Sequence, residues 1–171
     1  MAVRNHALRT GTLAALMAAS MATQAQEFQI NPGLNDAWFN PATDGQGFFF
    51  NVFPDQNFFF MSWFTYDTER PPEDITAILG EPGHRWLTAS GSFDAGNMVV
   101  LDVNNTTGGL FDDPQEVTQN PGYGTITVTF ENCNSATVDY ELPAAGVSGT
   151  IPVQRVVLDN VPLCETLAAT E

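Results

Sequence analysis

The sequence contains no lysine. Its 171 residues include five arginines and two histidines against 20 aspartates and glutamates, a formal net charge of −15 at pH 7. Such a surface repels phosphate backbones and anionic headgroups, which argues against nucleic acid as a partner. Histidine is almost as scarce, being confined to His6 and His84. A serine or cysteine hydrolase needs a base beside its nucleophile. His84 stands in a Gly80-Glu81-Pro82-Gly83-His84 turn, and no Gly-x-Ser-x-Gly elbow or glycine-rich phosphate loop occurs. Only two cysteines are present, Cys133 and Cys164. With one histidine downstream of the N-terminal region they lack partners for a metal site, so no metal ligand set is assigned.

Long apolar runs are missing as well. The stretch from about Leu13 to Met21 follows Arg4 and Arg9 and precedes Thr23-Gln24-Ala25. That is the order of a secretory signal peptide over residues 1–25, its apolar run too short for a bilayer-spanning helix. Cleavage after Ala25 leaves Arg70, Arg85 and Arg155 as the only strong bases and raises the imbalance further. The remainder suits one domain, expected over residues 26–165, with residues 166–171 as a flexible tail. An exported chain with two cysteines invites a Cys133–Cys164 disulfide, which closes a loop of about thirty residues and contributes about 3 to 4 kcal/mol. The expected location is periplasmic or extracellular, with no membrane span after processing.

What the sequence has in abundance is strand periodicity. Ile126, Val128 and Phe130 alternate with threonines, and Ala136, Val138, Tyr140 and Leu142 alternate with Thr137, Asp139 and Glu141. This pattern means antiparallel strands with one buried and one wet face. Further strands are expected near 36–40, 46–53, 57–66, 85–91, 97–104 and 148–158, separated by turn clusters such as Asn104-Asn105 and Asn120-Pro121-Gly122. The fold class is all-β, an antiparallel meander of about eight strands forming a barrel or a sandwich. One short helix is expected near 72–79, where Pro71-Pro72 precedes Glu73-Asp74, Ile75, Ile78 and Leu79 form a stripe, and Gly80 follows.

The most unusual stretch is Gly47–Phe64, GFFFNVFPDQNFFFMSWF, with eight phenylalanines and a tryptophan. Pro54-Asp55-Gln56-Asn57 supplies turn chemistry for a hairpin. Period two then sets Phe48, Phe50 and Val52 on one face and Phe49, Asn51 and Phe53 on the other. On the return strand Phe58, Phe60, Phe64 and Tyr66 oppose Phe59, Met61 and Trp63. Both faces are apolar, more than a soluble monomer exposes. The Ile75–Leu79 helix, with Phe28 and Ile30, is the expected cover for the second face; a partner protein or apolar ligand is the alternative. Phe49, Phe53, Phe59 and Trp63, together with Trp38 and Arg155, are the candidate contact residues.

The ordered motifs AWFNPATDGQG at 37–47, WFTYD at 63–67, GHRWLTASG at 83–91, GTITVTFENCNSATVDY at 124–140 and SGTIPVQRV at 148–156 resemble a family of exported, β-rich, mostly uncharacterised proteobacterial proteins. The resemblance implies a secreted domain and carries over no catalytic role. The architecture is similar, more loosely, to calycins, the lipocalin-like ligand-binding barrels, in which a tryptophan on the first strand is covered by a basic residue from the last. Trp38 and Arg155 hold those places here, and the resemblance implies a cation–π contact between them. Asp36 stands where calycins carry glycine, and Pro152 is awkward in a closed barrel, since proline cannot donate to a ladder.

These readings converge on a non-enzymatic binding or interaction module of the bacterial envelope or exterior, monomeric, for a small apolar ligand or an envelope protein. A carboxylate-dependent hydrolase of envelope glycans or polysaccharide is the enzymatic alternative, and a purely structural envelope domain the third. No cofactor is expected, although the Asp112-Asp113-Pro114-Gln115-Glu116 run offers oxygens of the kind Ca2+ takes, without EF-hand spacing. Intact-mass analysis of the exported protein should find Gln26 at the N-terminus; a chain still beginning at Met1 would remove the signal-peptide reading.

Overall fold

The computed structural model describes residues 28–169. The signal-peptide assignment therefore lies outside the described residues. Eight strands follow one another as β1 (Asp36–Phe39), β2 (Gly47–Phe53), β3 (Phe58–Tyr66), β4 (His84–Ser92), β5 (Met98–Thr107), β6 (Thr118–Asn132), β7 (Ser135–Leu142) and β8 (Val147–Arg155). Each pairs antiparallel with the next, and β8 pairs back onto β1. The choice between barrel and sandwich is thus resolved as a closed barrel. Closure abolishes the unpaired sheet edge that would otherwise template aggregation.

The interior follows from period-two alternation. Trp38, Phe48, Phe50, Phe59, Met61, Leu101, Ile126, Val128, Phe130 and Val138 all point inward and are buried. At the centre Phe50 stands 5.4 Å from Trp38, 5.6 Å from Phe59 and 5.8 Å from Phe130, ring centroid to centroid, so four aromatic rings fill one end of the barrel. Tilted and edge-on contacts such as these suit the ring quadrupoles. Small residues make room opposite the large ones, with Ala89 and Ala136 also facing the core.

The two ends differ. At one end the chain before β1 folds across the barrel as a 3-10 turn, Pro32–Leu34, whose N-cap Asn31 accepts from the Gly33 N–H. Leu34 is fully buried. After β8 the chain forms α1 (Val161–Ala168), the single α-helix among the described residues, whose Cys164 is bonded to Cys133 in the β6–β7 turn. A Cβ on Gly33 would lie 2.4 Å from the Cys164 Cα. Only glycine allows the 3-10 turn and α1 to approach this closely. This end is closed; the loops after β1, β3 and β5 gather at the other, which is open.

Three expectations are corrected. No helix forms near 72–79: the segment holds a single turn, Ile75 N–H to Pro72 O at 3.0 Å, and Ile75, Ile78 and Leu79 are exposed. An eight-residue helix is marginal without a packed face, and this stripe finds none, whereas α1 is held by its disulfide. Residues 166–168 belong to α1 and are not a loose tail; residues 170–171 lie outside the described chain. Asn104-Asn105 and Asn120-Pro121-Gly122 are no turns but parts of β5 and β6, whose register shifts between Val103, opposite Gly124, and Asn104, opposite Pro121. Gly122 takes the left-handed conformation, φ 80°, that lets the strand bulge there. Beyond the bulge, Asn105–Thr107 and Thr118–Asn120 run on as a two-stranded arm above the open end.

Pro152 is accommodated because β1 meets β8 only at Arg155 and Gln154. The seam has already parted opposite Pro152, which stays in register with Thr137 of β7.

The disulfide spans 31 residues of sequence and ties α1 to the barrel. Reduction should lower the unfolding free energy by about 3 to 4 kcal/mol. Urea melts with and without reductant check this, and coincident curves would show that the bridge does not stabilise the fold.

Candidate functional site

The closed end is organised around Arg155, which is buried together with the ring of Trp38. Its guanidinium carbon lies 4.7 Å from the Trp38 ring centroid. Nη1 donates to Asp36 Oδ2 at 2.7 Å, Nε donates to the Cys133 carbonyl, and Nη2 donates to the Gly33 carbonyl. One side chain thereby joins β1, the 3-10 turn and the β6–β7 turn to the last strand. Burial lowers the Arg155 pKa from its ordinary value, while the hydrogen bond and charge of Asp36 oppose the shift. The Trp38 indole N–H donates to the Leu34 carbonyl at 3.2 Å, which fixes the ring beneath the 3-10 turn. These are structural tasks. They engage all three guanidinium nitrogens of Arg155, and the candidate site is the cavity at the other end.

There the barrel encloses a cavity of about 740 Å³. Its inner wall is apolar: Phe48, Trp63, Leu87, Tyr140, Leu142, Val147 and Ile151. Trp63 packs between Phe48 at 5.3 Å and Tyr140 at 5.2 Å, and the three rings line the inner part of the cavity. The rim is polar. Thr65 donates to Gln46 Oε1 at 2.6 Å across β2 and β3. Asp67 and Arg85 form an ion pair at 2.6 Å, and Arg85 also donates to the Pro82 and His84 carbonyls. His84 Nδ1 accepts the Glu81 N–H at 3.3 Å, which places the imidazole in a loop-fixing role. Both members of the pair are well exposed, so the bridge orders the β3–β4 loop more than it stabilises the fold.

Charge is distributed unevenly around this mouth. The loops 40–46, 67–83 and 108–117 carry nine carboxylates and one arginine, Arg70. Of these acids only Asp67 lines the cavity, and it is paired. The Asp112–Glu116 run does not converge on a point: among the described residues no three His, Cys, Asp or Glu side chains gather as a metal-binding group. Gln115 instead donates to Asp113 Oδ1 at 2.6 Å.

The candidate contact residues separate. Trp63 lines the cavity and Phe59 is wholly inside the core. Phe49 and Phe53 are on the outer wall, half exposed, and neither a helix nor residues 75–79 cover them. Phe28 and Ile30 pack at the closed end rather than over the hairpin. Sequence reading did not single out Phe48, Leu87, Tyr140, Val147 or Ile151 as a site. Alternation placed Phe48 and Tyr140 on apolar strand faces, and only the barrel's depth shows that the core stops short of the mouth.

No protein-family model matches the chain, and neither a curated protein sequence nor a solved structure matches it.

Arg155→Met should cost about 3 to 5 kcal/mol, because it leaves the part-buried Asp36 carboxylate and two carbonyls without their donor. Urea unfolding of the variant checks this. Stability equal to the parent would mean that Trp38 packing alone closes the barrel.

Proposed function

We propose that the protein is an exported, non-enzymatic binding module that holds a small amphipathic molecule in the open end of its barrel. The observation that carries this reading is the 740 Å³ cavity with an aromatic inner wall and a polar rim. Its size and its mix of apolar lining with few polar groups are those of ligand pockets generally. The Trp38–Arg155 contact at a closed barrel end supports the likeness to calycin barrels. The disulfide is compatible with an oxidising compartment outside the cytoplasm.

The site's charge selects against anions. Its single lining arginine is already engaged by Asp67, and the surrounding loops are strongly acidic. A carboxylate or phosphate headgroup would meet repulsion with no free cation to receive it. The ligand is therefore uncharged or cationic at its polar end and apolar or aromatic in its body.

Two observations weigh against the alternatives. A glycosidase needs two carboxylates facing each other across a cleft, and this cavity is lined by one. A lipid-embedded barrel is polar inside and apolar outside. Here the inside is apolar, and the outward positions of β5–β7 carry Asp102, Glu131, Asp139 and Glu141.

The test uses Trp63 as reporter in a Trp86→Phe background, titrated with decanol, decyltrimethylammonium and decanoate below their micellar concentrations. The two non-anionic probes should perturb Trp63 emission saturably, with decanoate at least tenfold weaker. Ile151→Phe, which narrows the cavity, should weaken both. Emission unmoved by all three probes would overturn the reading.

A further inference from the structure

The outer wall of β1–β4 carries a feature that the cavity explains only in part, since of its rings Trp86 alone also borders the cavity. Phe49, Phe53, Phe64 and Trp86 are 50%, 43%, 39% and 55% exposed. The register makes them one surface: Gly47, Phe64 and Trp86 lie in a row across β2, β3 and β4, and Phe53 pairs with Phe58. Phe49 and Phe64 touch diagonally, centroids 5.6 Å apart. Between them lie Asn51, Ser62, Thr88 and Ser90. No outward position on these strands from Ala37 to Ser92 that takes part in this surface holds an Asp, Glu, Lys or Arg. In a chain of formal charge −15 that is a segregation, since the outward positions of β5–β7 hold four acids.

We propose that this face is the interface of a homodimer, two barrels packed wall to wall about a two-fold axis. The charge pattern selects the occupant. A basic partner finds no carboxylate to pair with on the face. A second copy brings an equally uncharged face, and in an isologous contact the acidic walls of both barrels point away from each other. Size is consistent with this: at 150 to 250 Å² per aromatic side chain, the four rings alone expose roughly 300 to 450 Å². That is about half of the ~800 Å² a side of a standard interface, and the small polar residues among the rings supply surface for the rest. The sequence expectation of a monomer rested on a helix covering this face, and that helix does not form. Phe49, Phe53 and Phe64 lie outside the cavity and only Trp86 is shared with it, so the inference does not rest on the ligand reading.

Sedimentation velocity on the exported chain, across protein concentration and at low and high salt, tests it. Dimer fraction should rise with concentration and also with salt, which screens the net repulsion and leaves the apolar contact in place. Trp86 supplies a second readout, because Trp38 and Trp63 are buried: its quenching by acrylamide should fall as dimer forms. Phe49→Ser should shift the equilibrium at least tenfold toward monomer. Should that variant fold poorly, Ser62→Asp places like charges across the two-fold contact and should give the same shift with an unchanged far-UV spectrum. A monomer at every concentration and salt overturns the proposal, as does a dimer that ignores both substitutions or leaves Trp86 open to quencher. A persistent monomer that binds neutral phosphatidylcholine vesicles would assign the face to a bilayer instead.

Discussion

Arg155 brings a full charge into the closed end of the barrel, its side chain out of contact with water. A buried charge is tolerable only when it is paired and hydrogen-bonded, and the surroundings are arranged to meet that demand. Asp36 must sit on β1, the Gly33 and Cys133 carbonyls must turn inward, and Trp38 must present its face. Those groups come from the strand, turn and loop that have to meet for the sheet to close. The β1–β8 seam is only two residue pairs long, and Trp38 opposite Arg155 is one of them. Closure therefore depends less on backbone pairing along the seam than on one cation and its acceptors. The disulfide and α1 lie directly over this point, and the Gly33 approach to Cys164 locks the two layers together.

Fixing one end so firmly leaves the other free to be hollow. The aromatic cluster of Trp38, Phe50, Phe59 and Phe130 consumes the interior near the seam. Toward the mouth the inward residues shorten to Leu87, Val147 and Ile151, and Trp63 with Phe48 and Tyr140 marks where the filled part ends. The open rim is held by weaker means: a threonine–glutamine hydrogen bond, an exposed ion pair and loop backbone contacts. A stable base under an adaptable rim is the distribution a binding site uses, because low-stability loops can reorganise around a guest. In the proposed binding role the acidity of the loops would act as a filter on charge rather than as a ligand set.

The barrel wall is divided as clearly as its ends. Strands β5–β8 show mainly threonine, serine and carboxylates on their outward faces, with Met98 and Val100 of β5 the large exposed apolar exceptions. At their outward positions strands β1–β4 show aromatic rings and small polar residues without Asp, Glu, Lys or Arg. In an acidic protein the absence of acids from the outward positions of four strands is as informative as the presence of phenylalanine, for solubility alone favours the opposite arrangement.

Much of this was legible in the sequence. Strict alternation at 125–131 and 136–142 fixes which residues are inside, since side chains on a strand have period two whatever the sheet does later. The same rule separated Phe48 and Phe50 from Phe49 and Phe53, and the paired cysteines and the Trp38–Arg155 contact could be named in advance. Local signals failed where tertiary context overrides them. Pro71-Pro72 with a short apolar stripe looks like a helix start, yet two turns with nothing to pack on do not hold. Pro121-Gly122 looks like a turn, yet a strand wrapping a barrel uses it as a bulge. Nothing in the sequence showed that Trp63 would line a cavity and Phe59 would not, though they share a face. Sequence by itself determined composition, strand periodicity and inward-facing residues, because these are local. Closure, the hollow end and the uncovered aromatic wall were decided only by tertiary structure, because each depends on what lies across the barrel from a residue rather than beside it.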